Sequence, residues 1–119
     1  MIVEIHGNKV EIDDNLVYVI VNLNKKGYDT RFCCEGHSPI CETYIQFRND
    51  TLKNCIPKGF KKDIKLGRLH IFRTYHSEEE KVEMMKILRD WVDELEDLGG
   101  SIISYETSKS RVKNLKRTE

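Results

Sequence analysis

The chain has 119 residues, 39% apolar and 34% charged, enough for one modest core under a heavily charged surface and too apolar for a disordered chain. Its formal net charge is zero, so no overall field draws it to DNA or to a membrane, and no run approaches the ~20 apolar residues of a spanning helix. Met1-Ile2-Val3-Glu4-Ile5 has no basic segment leading into an apolar one, so a cytoplasmic chain with reduced cysteines is expected. Cys33 and Cys34, being adjacent, are also poor disulfide partners for each other.

Ile2 to His6 and Lys9 to Ile12 alternate, and Gly7-Asn8 between them predicts a hairpin with a two-residue loop. Asp13 or Asp14 caps a helix to about Lys26, closed by Gly27. Leu16, Ile20 and Leu23 share one of its faces, with Val17, Val21 and Val19 widening the stripe, so this helix is expected to be well buried. Tyr28 to Cys34 and Thr43 to Arg48 read as strands, joined by a loop over Glu35 to Cys41. Asn49 to Phe60 is irregular. Asp63 to Leu66 and Arg68 to Tyr75 form a second hairpin about Gly67. Ser77-Glu78-Glu79-Glu80 is a capping box opening a helix to Leu98, with Met84, Ile87, Leu88, Trp91, Val92 and Leu95 as its stripe and Gly99-Gly100 as its end. Ser101 to Thr107 is a last strand. The resulting order, ββ-α-ββ-ββ-α-β, predicts an α+β fold: a mostly antiparallel sheet with two helices packed on one face. The whole chain, 1–119, is expected to be a single domain, with 108–119 as a basic tail.

The densest chemistry lies at Cys33-Cys34-Glu35-Gly36-His37, and three uses are open to it. Cys34, His37 and Cys41, with Cys55 as a fourth ligand, offer the soft donors that zinc takes in a tetrahedron; against this, buried free cysteines commonly just fill core space. Cys33 or Cys34 with His37 as base and Glu35 as orienting acid would make a nucleophile. Glu35, Gly36, His37 and Ser38 together offer a carboxylate, an accessible backbone N–H, an imidazole and a hydroxyl, an inventory that suits ribose, phosphate and base edges. An ordinary turn with a left-handed glycine explains the same residues.

The neighbouring strands favour the ligand reading. Arg31 enters the turn, and Tyr44, Gln46 and Arg48 leave it. If Leu69 and Ile71 face the core, His70 and Phe72 face the open side of the sheet, an aromatic surface with basic neighbours of the kind that stacks bases and contacts phosphates. Phe72 would equally suit a second core or a dimer interface. Nine acids against three bases between Glu78 and Asp97, and five bases in the tail, can pair with each other or lie solvated; Arg111 is the tail residue best suited to bidentate phosphate contact. The phosphate-binding glycine loops, the serine elbow and the His-Glu-x-x-His motif are absent from the sequence, which favours a binding module over the common enzyme classes.

The run from Leu23 to His37, Leu-Asn-Lys-Lys-Gly-Tyr-Asp-Thr-Arg-Phe-Cys-Cys-Glu-Gly-His, followed by Tyr44-Ile45-Gln46-Phe47, resembles a family of small proteins in Firmicute phages and prophages. Its pattern reads LNxKGYxTxFxCxGH…YIxF, and its first Cys position varies. Pro57-Lys58-Gly59-Phe60 and the closing helix with Trp91 are similar too. The family resembles the Thoeris anti-defence sponge proteins of the first type. That resemblance implies a non-catalytic homo-oligomer in the host bacterial cytoplasm, without a cofactor, that binds a cyclic ADP-ribose signal made by a TIR enzyme; some relatives hold cyclic oligonucleotides at a separate site. Tight sequestration asks for cations, an aromatic face and pockets shared between protomers, but no nucleophile. The candidate ligand residues are Arg31, Glu35, Gly36, His37, Tyr44, His70, Phe72, Arg73 and Arg111.

Overall fold

Val3 and Ile5 alternate inward from β1 (Ile2–Ile5) and the chain returns as β2 (Asn8–Glu11). A computed structural model describes residues 1–37, 39, 41–99 and 103–105 of the chain. The hairpin turn is His6-Gly7, both at positive φ (53° and 81°), with Ile5 opposite Asn8. Gly7 therefore takes the second turn position rather than the first, as in the second hairpin, where Leu66-Gly67 (54° and 75°) joins β5 (Lys61–Lys65) to β6 (Arg68–Thr74). A left-handed pair of this kind matches the twist of the strands it connects.

A 3-10 turn over Asp14–Leu16 leads into α1 (Val17–Lys25). Val17, Val19, Ile20, Val21, Leu23 and Asn24 are all buried, so α1 is covered around most of its circumference. Gly27, at φ 98°, ends it as anticipated. The chain then forms β3 (Thr30–Cys34) and β4 (Glu42–Phe47). The second helix, α2 (Glu78–Glu94), begins with the anticipated cap: the Ser77 hydroxyl accepts from the Glu80 N–H at 3.1 Å, and the Glu80 carboxylate accepts from the His76 N–H at 2.8 Å.

The class is α+β, and every strand pair is antiparallel. The strands fall into two sheets rather than one. The smaller has the order β2-β1-β7, where β7 (Ile103–Tyr105) pairs with β1; the larger has the order β3-β4-β6-β5. Ile45, Phe47, Leu69 and Ile71 turn the inner face of the larger sheet into the core shared with α1, with Val3 and Ile5 of β1, and with Met84, Met85, Leu88 and Val92 of α2. Among the described residues no helix is long and apolar enough to cross a membrane.

Helix α2 stops at Glu94, four residues before the expected Leu98, because the end of α1 intercepts it. The Lys26 ammonium donates to the carbonyls of Val92, Asp93 and Leu95 at 2.7, 3.1 and 2.8 Å. The Leu98 N–H donates to the Lys26 carbonyl at 2.6 Å, and the Tyr28 hydroxyl to the Glu96 carbonyl at 2.7 Å. A cation on the last carbonyls of a helix satisfies them and complements the dipole. The last helical expectation, a glycine end at Gly99-Gly100, thus gives way to a lysine cap from another element. The tail from 108 onward, including Arg111, lies outside the described residues.

Replacing Lys26 by methionine keeps much of the packing stem and removes the cap. The expected loss is about 2 kcal/mol of stability, the scale of hydrogen bonds to a charged group. It should appear as a lower urea midpoint at unchanged slope; an unchanged midpoint would show that water satisfies these carbonyls as well.

Candidate functional site

The turn after β3 is built by groups that the helices supply. Asp13 stands at the N-cap of the 3-10 turn, but its side chain makes no capping bond there. Its carboxylate instead accepts from the Glu35 N–H at 2.9 Å. The Glu35 side chain runs inward, where it accepts from the Asn15 amide at 2.6 Å and lies 3.3 Å from the Lys81 ammonium of α2. Burial works against the Lys81 charge, but the Glu35 carboxylate, helped by Tyr75 and Glu78, outweighs it and raises the titration point. The Glu35 carbonyl accepts from the Thr43 hydroxyl at 2.8 Å, so the same residue also holds the start of β4.

Gly36 is fixed twice over. Its φ is 93°, and a Cβ there would lie 2.8 Å from the Tyr75 hydroxyl oxygen and 3.0 Å from the backbone N and O of Glu42. Its carbonyl accepts from that hydroxyl at 3.1 Å, and its N–H donates to the Cys34 thiol at 3.3 Å. The polar groups of Glu35 and Gly36 are thus engaged in holding the turn. His37 is different: its ring is exposed, with Nε2 3.4 Å from Asp13 Oδ2.

The outer face of the larger sheet carries the aromatic chemistry. Register places Cys34, Tyr44 and Phe72 in one cross-strand row, and Phe32, Gln46 and His70 in the next. Leu69 and Ile71 are fully buried on the opposite face, so His70 and Phe72 do face outward. Tyr44 and His70 are stacked with ring centroids 5.4 Å apart, and Phe72 meets His70 edge-on at 5.4 Å. A register shift between Thr30 and Phe32 interrupts the β3 alternation at Arg31. The Arg31 guanidinium lies 4.7 Å from the Phe32 ring centroid and donates to the Gln46 side-chain oxygen at 3.3 Å. Phe32 is 55% exposed and adds apolar surface to the same face as Tyr44, His70 and Phe72. Lys61 of β5 stands opposite Phe72. Beside β3, a cleft toward the smaller sheet is lined by Ile5, Val10, Ile12 and Ile20, with Arg31, Phe32 and Arg48 also on its walls.

The candidate ligand residues therefore separate into groups. Arg31, Tyr44, His70 and Phe72 come together on the outer face. Glu35 and Gly36 lie in the turn as structural groups, with His37 at its exposed edge. Arg73 points to the other side of β6: it pairs with Glu80 at 3.7 Å, and its guanidinium fills the space where a Gly59 side chain would stand, 2.8 Å from that position. The four-ligand zinc set is not assembled. Asp13, Cys34 and His37 cluster, while among the described residues Cys41 and Cys55 belong to no such group, and Cys55 lies on the loop whose carbonyl accepts from Trp91. Two contributors went unselected in the sequence. Phe32 carried a signal, since it alternates with Thr30 and Cys34. Asp13 carried a weaker one: of two successive acids before a helix, only one is needed at its start.

Burial, with lesser effects from Asp13 and Cys34, pushes the Cys33 thiol up to about 12. Such a thiol is protonated at neutral pH and a poor nucleophile. Burial likewise raises the Tyr44 phenol, with Cys34, Cys33 and Asp13 adding to it. Comparison with protein-family models, with curated proteins and with solved structures gives no match.

From pH 9 to about 12 the folded chain keeps a Cys33 proton that the unfolded chain has lost. Stability must therefore fall as pH rises through that window, by roughly 4 kcal/mol across it. Cys33→Val keeps the volume and lacks the proton. Between pH 9 and 10 its unfolding free energy should decline less steeply than that of the wild type, by about 1 kcal/mol, while the raised Met1 amino group and tyrosines lower both proteins alike; parallel profiles would reject the assignment.

Proposed function

We propose that this chain is a non-catalytic binding protein that holds a small cyclic nucleotide, of the cyclic ADP-ribose or cyclic oligonucleotide type, and keeps it from its receptor. The observation that carries this reading is the outward Tyr44–His70–Phe72 array with Arg31 and Phe32 at its border. Aromatic faces stack purines, and each stacked base contributes about 1–3 kcal/mol. Guanidinium groups take phosphates in bidentate fashion, and Arg31 lies beside the face while Lys61 adds a second cation next to Phe72. The raised Cys33 thiol weighs against Cys33 as a nucleophile. The resemblance of the Leu23–His37 run to phage anti-defence proteins supports a signal nucleotide as the ligand and a host's TIR-dependent immune response as the process blocked.

A flat sheet face covers only one side of a ligand, whereas small-molecule sites commonly bury 70–90% of theirs. A second protomer is the simplest source of the opposite wall, and a shared pocket explains how 55% exposure of Phe32 would be relieved. Homo-oligomerisation is therefore part of the proposal.

The test is calorimetric titration of the purified chain with cyclic ADP-ribose isomers and cyclic oligonucleotides, followed by heat denaturation and mass spectrometry of what is released. One of these ligands is expected to bind and to be recovered intact. Phe72→Ala should weaken binding roughly 10-fold or more, as loss of a stacking platform does; because Phe72 is half-buried, binding is compared at a temperature where the variant's own unfolding curve shows it folded. Altered product would mean catalysis, and absence of binding by every cyclic nucleotide would end the proposal.

A further inference from the structure

Three donor atoms of types that transition metals favour meet at the mouth of the turn. The ligand atoms of Asp13, Cys34 and His37 all lie within 4.8 Å of one another. They come from three separate places: the residue before the 3-10 turn, the end of β3, and the loop beyond Gly36. Their side chains grade from half-buried to exposed, Asp13 at 30% and His37 at 65%.

The Asp13–His37 distance is informative. At 3.4 Å, Oδ2 and Nε2 are longer than a good charge-assisted hydrogen bond, which runs about 2.7–2.9 Å. Two ligands bound to one zinc at about 2.0–2.1 Å in a tetrahedron stand about 3.3 Å apart, by geometry from those bond lengths. The pair thus stands at a spacing that two ligands of one zinc would also have. The two anionic donors are also held from behind. Asp13 Oδ2 accepts from the Glu35 N–H at 2.9 Å, and Cys34 Sγ accepts from the Gly36 N–H at 3.3 Å. Backbone donors of this kind orient ligands and stabilise their charged forms. The turn that supplies them is rigid, because Gly36 is wedged against Tyr75 and Glu42. The Gly36 N–H holds Cys34 Sγ toward the cluster, and exposed His37 has room to adjust its rotamer toward it.

We propose that Asp13, Cys34 and His37 form a zinc site whose fourth position no described residue fills. The donor set, one thiolate, one imidazole and one carboxylate, suits Zn2+ rather than Mg2+ or Ca2+, which take oxygen ligands. On binding, the Cys34 proton leaves to solvent and its sulfur lone pair bonds the metal. The fourth position takes a water molecule or an anionic oxygen of a ligand. Cys34 shares a cross-strand row with Tyr44 and Phe72, which puts that position at the end of the aromatic face. Metal binding itself does not depend on what the face holds.

The test uses the full chain, reduced and free of chelator, titrated with Co2+ and then Zn2+. Co2+ should give thiolate-to-metal charge-transfer absorption that saturates at equimolar metal and is abolished by Zn2+. His37→Ala removes only an exposed side chain, so folding is preserved. It should weaken Zn2+ binding by at least about 10-fold, since even indirect partners of a metal commonly contribute that much. Cys34→Ser should remove the charge-transfer band, and Asp13→Asn, which keeps an acceptor for the Glu35 N–H, should weaken binding as His37→Ala does. Cys41→Ser and Cys55→Ser should leave binding unchanged. Absence of the band in the wild type, full affinity in His37→Ala, or loss of binding in Cys41→Ser or Cys55→Ser would each overturn the assignment. Nucleotide titration of the metal-free chain is read separately, so failure of the zinc site and failure of the nucleotide reading remain distinguishable.

Discussion

A nine-residue helix buried around most of its circumference is the constraint from which the rest of this structure follows. Alone in water a helix this short is marginal, and with Val19, Ile20 and Val21 all buried in succession it has no single apolar stripe that one partner could cover. It must be enclosed, and that is why the strands divide: β1 of the smaller sheet packs near one side, while the inner face of the larger sheet and α2 complete the core. Asn24 shows how completely the helix is enclosed. It is fully buried, so its amide must be paired; it donates to the Ile20 carbonyl and the Thr30 hydroxyl at 2.8 and 2.9 Å and accepts from the Thr30 N–H at 3.2 Å. One polar side chain thereby fixes where β3 starts, and so where its turn ends up.

The turn is itself held from several sides. Asp13 holds its backbone, Asn15 and Lys81 hold its carboxylate, and Tyr75 holds its glycine. Breaking a largely buried charge pair from one side leaves an uncompensated ion, so Glu35 and Lys81 are bound to each other by the cost of separating them. The chemistry that drew attention to Cys33–His37 in the sequence is thus mostly consumed inside the fold. What it leaves over is peripheral: an exposed imidazole, a thiol at a strand end and a carboxylate borrowed from a helix start.

Class, element order and the outward placement of His70 and Phe72 were all readable in the sequence, because each rests on local periodicity and on Leu69 and Ile71 being apolar. The first hairpin shows where periodicity stops. Loops at 6–7 and at 7–8 put Val3, Ile5 and Val10 on the same face, since the two registers differ by an even number of residues, and only the preference of the second turn position for glycine separates them. The end of α2 shows a different limit. Its apolar pattern continues to Leu95, but Lys26 lies 66 residues from the Val92 carbonyl it caps, and no local signal announces a contact over that distance. Arg73 reads as a strand cation of the same kind as Arg31, yet alternation alone sends it to the opposite side, onto Gly59 and Glu80.

The same geometry decides which part of the larger sheet can meet a partner. Among the described residues neither of its outer strands has a partner on its far side, and such edges are a hazard unless blocked. On β5 the block is charge: Lys61, Lys62, Asp63 and Lys65 are all exposed. On β3 an irregularity in its pairing with β4 falls at Arg31, and bulges bend the strand that carries them. Bulges of this kind also re-aim side chains, and here the consequence is that Arg31 and Phe32 both become available at the border of the aromatic face instead of lying on opposite sides of the strand. The device that protects the edge is therefore the one that brings a cation to the rings.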